Sequence, residues 1–123
     1  MPSKIIAERA SEFAVRIVAL CEKLWARSRA AQRIANQLFD AGTSVGANSL
    51  EAEGAQTKPD FVATLSVSRK ESWESIFWLR LSVATRIVRI EEVEWELDEA
   101  HQLRSMITQA IKTAQSSPSR GEP

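Results

Sequence analysis

Residues 98–101 read Asp-Glu-Ala-His, which places a carboxylate and an imidazole three residues apart on one face of a helix. Two such pairs, with further inward carboxylates, hold a di-metal site in helical bundles. His101 is the only histidine in the sequence, so no second pair exists and we expect no metal centre. In one-letter code these residues spell DEAH, which is also the name of a helicase motif. Because the sequence contains no G-x-x-x-x-G-K-[ST] loop to hold phosphate, we read that match as a coincidence.

The other reactive side chains are also isolated. Cys21 is the only cysteine, which excludes an intrachain disulfide, and we predict that it packs as a small core residue. Glu71 and Glu74 lie three residues apart, a spacing that more often marks a solvated helix face than a catalytic pair of carboxylates. The sequence therefore predicts no enzyme and no cofactor.

Arginine supplies the remaining candidate chemistry, because a guanidinium pairs with phosphate in a forked geometry. The formal net charge is zero, without the basic excess typical of proteins that coat nucleic acid. In a symmetric ring, however, a modest basic patch is repeated and becomes a phosphate-binding belt. The residues predicted to bind nucleic acid in this way are Arg27, Arg29, Arg33, Arg69 and Lys70.

The elements that must position these residues are predicted to be helices. The 123 residues are 44% hydrophobic and include only four Gly and four Pro, which favours one helical domain over many short strands. Apolar residues three and four apart predict helices at 4–26, 29–53, 58–87 and 92–114. Thr57, Pro59 and Asp60 have the spacing of a capping box at the start of the third helix.

Short links between long helices predict an all-α fold, an antiparallel up-down-up-down four-helix bundle. We assign the bundle domain to residues 1–115 and expect residues 116–123 to form a disordered tail. The first residues have no unbroken apolar core of a signal peptide, and no uncharged run is long enough to span a bilayer. We therefore expect a cytoplasmic protein without membrane contact.

Some apolar residues lie outside the main stripes of these helices. The bland interpretation is a set of peripheral side chains half covered by their neighbours. The favoured interpretation is an interface between copies of the chain, because the excess occurs on three different helices. The predicted oligomer-interface residues are Phe39, Leu50, Trp78 and Trp95.

Two polar residues fall on apolar faces, Asn48 on the second helix and Arg80 on the third. Buried polar groups require partners, so we predict a structural polar clamp of Asn48, Glu51 and Arg80, in which either Glu51 or Glu53 pairs with Arg80. A ligand site is the less favoured alternative. The small residues Ser44, Gly46 and Ser49 are predicted to let the third helix approach closely, with Asn48 as a polar contact.

The middle of the chain resembles a known family. The most specific parts are Ser-Val-Gly-Ala-Asn at 44–48 with a following Glu51, and Lys-Glu-x-x-Glu-x-x-x-Trp-Leu from Lys70 to Leu79. These motifs resemble the small bacterial four-helix bundle proteins encoded in intervening sequences of 23S ribosomal RNA genes. That family is similar to the accessory variability protein of diversity-generating retroelements. Asp40, where a basic residue is common, and Ser49-Leu50, in place of Ile-Ala, depart from the pattern.

The resemblance implies an antiparallel bundle that assembles as a homopentameric barrel, without enzymatic activity and with RNA or DNA as its suggested ligand. Carried over by position, Asn48, Glu51, Lys70, Glu71, Glu74, Trp78 and Leu79 fall on the family motif. The alternative function is a scaffold that binds a partner protein of the same mobile element without nucleic-acid contact. The near-neutral charge and the acidic stretch at 91–99 favour this alternative.

Overall fold

The fold is all-α, as predicted, and the computed structural model describes residues 2–117 of the chain. Within that range four helices form a bundle: α1 (Pro2–Trp25), α2 (Arg29–Glu53), α3 (Lys58–Ala84) and α4 (Ile90–Ser116). The domain assignment stays a prediction. Most of the proposed tail, residues 118–123, lies outside the described residues, as does Met1.

The helix starts follow local capping chemistry. The Ser28 side chain caps α2 by accepting a hydrogen bond from the Ala31 N–H at 3.1 Å, and α2 has the predicted bounds. Thr57 caps α3 in the same way, accepting from the Asp60 N–H at 3.2 Å. The sequence therefore predicted both of these helix starts correctly.

The end of α3 differs from the prediction. The predicted helix continues to residue 87, whereas α3 ends at Ala84. Arg86 adopts a left-handed backbone with φ of 62°, and the Ile87 N–H turns back to donate to the Ser82 carbonyl at 3.0 Å. This hydrogen bond closes the last turn of α3 in the manner of a Schellman motif. The left-handed position of that motif, occupied here by Arg86, usually holds glycine.

Helices α1 and α2 pack closely at two glycines of α2. A Cβ at Gly42 would lie 2.6 Å from Ile17 Cγ2, and a Cβ at Gly46 would lie 3.2 Å from the Ala10 carbonyl oxygen. The prediction that the small residues of this stretch admit the third helix is therefore wrong for Gly46, although Ser49 does contact α3. The glycines admit α1 instead, because they face its small and branched side chains.

The inner face of α3 is made mostly of serine. Ser49 of α2 and Ser68 of α3 bring their hydroxyl oxygens to 2.8 Å, and Ser68 also donates to the Val45 carbonyl at 3.0 Å. Further along α3, Ser72 donates to the Ser68 carbonyl at 2.9 Å. Small side chains with internally satisfied hydroxyls let α3 lie close to its neighbours. The buried serines of α3 are Ser68, Ser72, Ser75 and Ser82.

The seam between α1 and α4 is joined by ion pairs. Arg9 donates from Nη2 to Glu99 Oε1 at 2.6 Å and from Nε to Glu99 Oε2 at 2.9 Å. Arg16 Nε lies 3.8 Å from Glu96 Oε2. Residue numbers rise along α1 while those of the paired glutamates fall along α4.

No helix of residues 2–117 combines the length and apolarity needed to cross a membrane.

The apolar core fills the space between all four helices in two clusters. The larger runs through most of the bundle, and the smaller lies where α1 begins and α4 ends. The leucine, isoleucine and phenylalanine residues of the first cluster are Phe13, Ile17, Leu20, Leu24, Leu38, Ile76, Leu79 and Leu103, and those of the second are Ile6, Leu65, Ile107 and Ile111.

Candidate functional site

The outward side of α3 carries large apolar residues, because its inner positions are taken by serine. Trp73 is 51% exposed and Phe77 is 54% exposed. The Arg104 guanidinium carbon of α4 lies 4.6 Å from the centroid of the Trp73 ring, and the His101 ring meets the same indole edge-on at 6.3 Å. These contacts hold Trp73 in place while leaving about half of its surface uncovered.

A groove continues this surface between α3 and α4. It has a volume of about 560 Å³, and a neighbouring one of about 400 Å³ shares Arg80 and Ala84 with it. Such a contiguous exposed apolar surface is typical of a contact site for another macromolecule. We call this surface the apolar face, formed by Trp73, Phe77, Leu81 and Ala84 of α3 with Ile90 and Leu97 of α4.

The four predicted interface residues lie in different environments. The Phe39 ring contacts the Trp25 ring with centroids 5.7 Å apart and a tilt of 39°, and Trp95 lies under the Arg16 guanidinium at 4.2 Å. Trp78 meets Phe77 edge-on at 4.8 Å, so it borders the apolar face. Phe39, Trp78 and Trp95 are half-buried against the core, whereas Leu50 is 57% exposed. Their role at an interface stays a prediction.

Sequence periodicity missed the apolar face for a physical reason. Helical spacing groups Trp73 and Phe77 with the buried Ile76 in one broad apolar band, wider than a single core stripe needs, and does not show which part of the band is exposed. A pattern based on hydrophobicity assigns aromatic residues to the core. Two helices in close contact, however, leave room only for small side chains between them. The run of serines at helical spacing was the signal that could have revealed the inner face.

The predicted polar clamp is not present within the described chain. Asn48 donates to the carbonyl and the hydroxyl of Ser44, both at 2.9 Å and both within α2. Arg80, Glu51 and Glu53 are exposed, and among residues 2–117 neither glutamate forms an ion pair with Arg80. The prediction of a buried Arg80 is therefore wrong, because the serine face rather than the aromatic face of α3 points inward.

Arg27 has a bracing role at the turns of the bundle. Its Nη1 donates to the Ile87 carbonyl at 2.8 Å, and its Nη2 donates to Glu92 Oε1 at 2.6 Å. The hydrogen bond from Arg27, together with that from the Arg89 backbone N–H, lowers the pKa of Glu92 from 4.5 to about 2. Arg27 therefore ties the α1–α2 turn to the α3–α4 turn.

The other predicted nucleic-acid-binding residues occupy two separate places. Arg29 and Arg33 are exposed at the start of α2, close to the Arg27 brace. Arg69 is half-buried and Lys70 is exposed in the middle of α3. Arg69 lies 15 residues and Lys70 14 residues before the end of α3, which is about 21–22 Å along the helix axis. The structure therefore divides the predicted set into two distant groups.

Cys21 is a core residue, as its sequence context indicated. The thiol is buried and lies 3.4 Å from the Ala35 carbonyl oxygen, to which it donates. Burial, with the nearby Asp40 carboxylate, raises the pKa of this thiol to about 12, so thiolate chemistry is not available near neutral pH. Among residues 2–117, no three His, Cys, Asp or Glu side chains lie close enough to hold a metal ion.

Comparison with known proteins identifies a family and similar solved structures. A family model described as 23S rRNA-intervening sequence protein matches residues 3–109. A crystal structure of a protein of unknown function from the S23 ribosomal protein family of Bacteroides thetaiotaomicron is similar, with 32% sequence identity and a TM-score of 0.82. The alignment covers 91% of this chain and 99% of that one. No functionally curated protein matches this chain.

Proposed function

The chain belongs to the family of 23S rRNA-intervening sequence proteins, and from that premise we propose that it is a non-catalytic, self-assembling bundle that binds nucleic acid. Basic residues, repeated around an oligomeric ring, make the contact. The proposal places the assembled protein in the cytoplasm. Neither the family match nor the similar crystal structure gives any positive indication of catalysis.

Self-assembly is supported above all by the apolar face. Trp73 and Phe77 each keep about half of their surface exposed on one side of α3, beside the groove between α3 and α4. Burial of that area between two copies would be favourable at about 25 cal/mol per Å². The opposed numbering of the ion pairs along α1 and α4 supports an antiparallel up-down bundle as the repeating unit. We propose that five copies close into a barrel through this face.

Light scattering coupled to size exclusion tests the assembly. We expect a mass five times that of one chain, and a lower mass for the double variant Trp73→Ser/Phe77→Ser. The matched control is Val15→Ser, because Val15 is also exposed but lies on α1, away from the apolar face. A monomeric parent protein, or a double variant that assembles like the parent, would contradict the proposed interface.

Nucleic-acid binding rests on the exposed arginines and on their repetition in a ring. Each phosphate contact releases counterions, so the affinity must fall as salt is raised. A filter-binding titration with structured RNA and with duplex DNA measures this dependence. If the assembled protein shows no salt-sensitive affinity for either, the nucleic-acid half of the proposal is wrong and the assembly half is untouched.

The second candidate function is a protein-interaction scaffold. The formal net charge of zero and the exposed Trp73 and Phe77 favour it, because both suit contact with another protein. In that case the apolar face would bind a partner product of the same mobile element rather than a second copy. A monomeric parent protein that co-purifies with one defined partner after nuclease treatment would favour this candidate.

A further inference from the structure

The α1–α2 turn and the α3–α4 turn form one continuous surface, held together by the Arg27 brace. The guanidinium spans from the Ile87 carbonyl at 2.8 Å to the Glu92 carboxylate at 2.6 Å. We call the surface formed by residues 26–33 and 85–92 the turn end. Two donor groups of Arg27 are already used in the brace. The neighbouring arginines are therefore the residues available to bind a ligand.

The turn end is basic although the whole chain is neutral. It contains the five arginines 27, 29, 33, 86 and 89 and only two carboxylates, Glu91 and Glu92, which leaves three positive charges. The Glu92 charge is already paired with Arg27. The side chains of Arg29, Arg33, Arg86 and Arg89 are exposed and lie in no salt bridge with a carboxylate of residues 2–117.

Three of these arginines stand at positions where local rules prefer another residue. Arg86 has a φ of 62°, a left-handed conformation that is strained for an L side chain and that glycine adopts more easily. Arg29 is the first residue of α2, where a positive charge opposes the helix macrodipole. Arg89 is the N-cap of α4, where Ser, Thr, Asp or Asn is preferred, and its guanidinium has no acceptor to offer.

We infer that the turn end is the phosphate-contacting surface of the protein, with Arg86 and Arg89 as binding residues beside Arg29 and with Arg27 as the brace that positions them. The ligand is the phosphodiester backbone of a nucleic acid. All five basic residues are arginine, whose planar donor fork matches a phosphate better than lysine does. Residues that break local rules at one shared surface, each at a cost to folding, are typical of a functional site.

Arg69 and Lys70 lie outside this phosphate-contacting surface. They lie about 22 Å from the turn end along α3, beyond the reach of a side chain. Arg69 is half-buried, and the glutamates at 71 and 74 follow within the next turn of the helix. That part of α3 therefore presents a mixed charge rather than a basic patch.

The inference rests on the nucleic-acid half of the proposed function, and fluorescence anisotropy with a labelled RNA hairpin tests it over a series of salt concentrations. The turn-end variant is Arg29→Gln/Arg86→Gly/Arg89→Gln. The control, Arg69→Gln/Lys70→Gln/Lys112→Gln, removes the same three charges elsewhere. Loss of three phosphate contacts should weaken binding at least about ten-fold and reduce the slope of log K against log salt by about 2 to 3. The control should bind within about two-fold of the parent protein.

The outcomes separate the two proposals. Equal loss in both triple variants, or a larger loss in the control, overturns the inference but leaves nucleic-acid binding in place. A parent protein that binds the hairpin at no salt concentration overturns both. The single variant Arg86→Gly excludes an unfolding artefact: its melting temperature should rise while its affinity falls. A lower melting temperature would contradict the left-handed placement on which the inference depends.

Discussion

At the scale of single residues, the Arg27–Glu92 pair shows how one contact fixes two turns. Glu92 accepts from the Arg27 guanidinium at 2.6 Å and from the Arg89 backbone N–H at 2.8 Å. It thus joins the α1–α2 turn to the start of α4 and also caps that helix. A carboxylate in the first turn is additionally favoured by the helix macrodipole.

We expect the pair to contribute to acid stability. The folded-state pKa of Glu92 is about 2, below its ordinary value of 4.5. Its contribution to stability is therefore present above pH 4.5 and is lost as the pH falls toward 2. Glu92→Gln should lower the free energy of unfolding by about 1 kcal/mol at neutral pH, and by progressively less across that acid range.

Urea denaturation at several pH values measures this effect. Glu91→Gln is the control, since it removes the same charge from the same helix turn but breaks no ion pair among the described residues. If the two variants lose stability equally at every pH, the brace does not contribute as described.

At the scale of elements, the glycines of α2 set the separation of α1 and α2. Gly42→Ala should destabilise the fold, because the new Cβ would lie 2.6 Å from Ile17 Cγ2 and 3.0 Å from its Cβ. Overpacking costs about 1–3 kcal/mol, against a gain of about 1 kcal/mol from the better helix propensity of alanine. The expected result is a net loss in the free energy of unfolding.

Gly54→Ala is the matched control for this substitution. Its Cβ would lie 3.7 Å from the nearest atom, the Glu51 carbonyl oxygen, and its φ is negative, so alanine fits there. Thermal unfolding of the two variants decides the matter. A Gly42→Ala protein as stable as Gly54→Ala would mean that α1 and α2 are not in close contact.

Helices α2 and α3 differ in how much of their structure could be predicted from the sequence. The bounds of α2 and the Thr57 cap of α3 were predictable because capping is local chemistry. The inward face of α3 was not, since Ser72 carries no apolar signal while Trp73 carries a strong one. The Arg9–Glu99 pair was also beyond prediction, because it joins residues 90 positions apart and depends on the register of α1 against α4.

At the scale of the whole molecule, the apolar face and the turn end are separate surfaces. The first lies along the flank of α3 and α4, and the second lies at one end of the helices. In a cyclic ring every copy has the same orientation about the axis. A ring closed through the flanks would therefore gather the turn ends of all copies on one rim.

This arrangement predicts that assembly strengthens nucleic-acid binding. Several turn ends on one rim contact a single strand together, and such multivalency raises affinity by about 10² or more. The Trp73→Ser/Phe77→Ser variant should therefore bind the RNA hairpin much more weakly, although its turn end is intact. Anisotropy titration at equal chain concentration, beside Val15→Ser, measures the difference. Unchanged affinity in a dissociated variant would mean that single chains bind independently.

The buried thiol of Cys21 has a consequence for measurement. It is the only cysteine in the sequence and is fully enclosed between α1 and α2. A thiol reagent can reach it only when that part of the bundle opens. The rate of its modification therefore measures how often the core opens locally, without any introduced cysteine. Comparing that rate in assembled and dissociated protein would show how far contact with neighbouring subunits slows this opening.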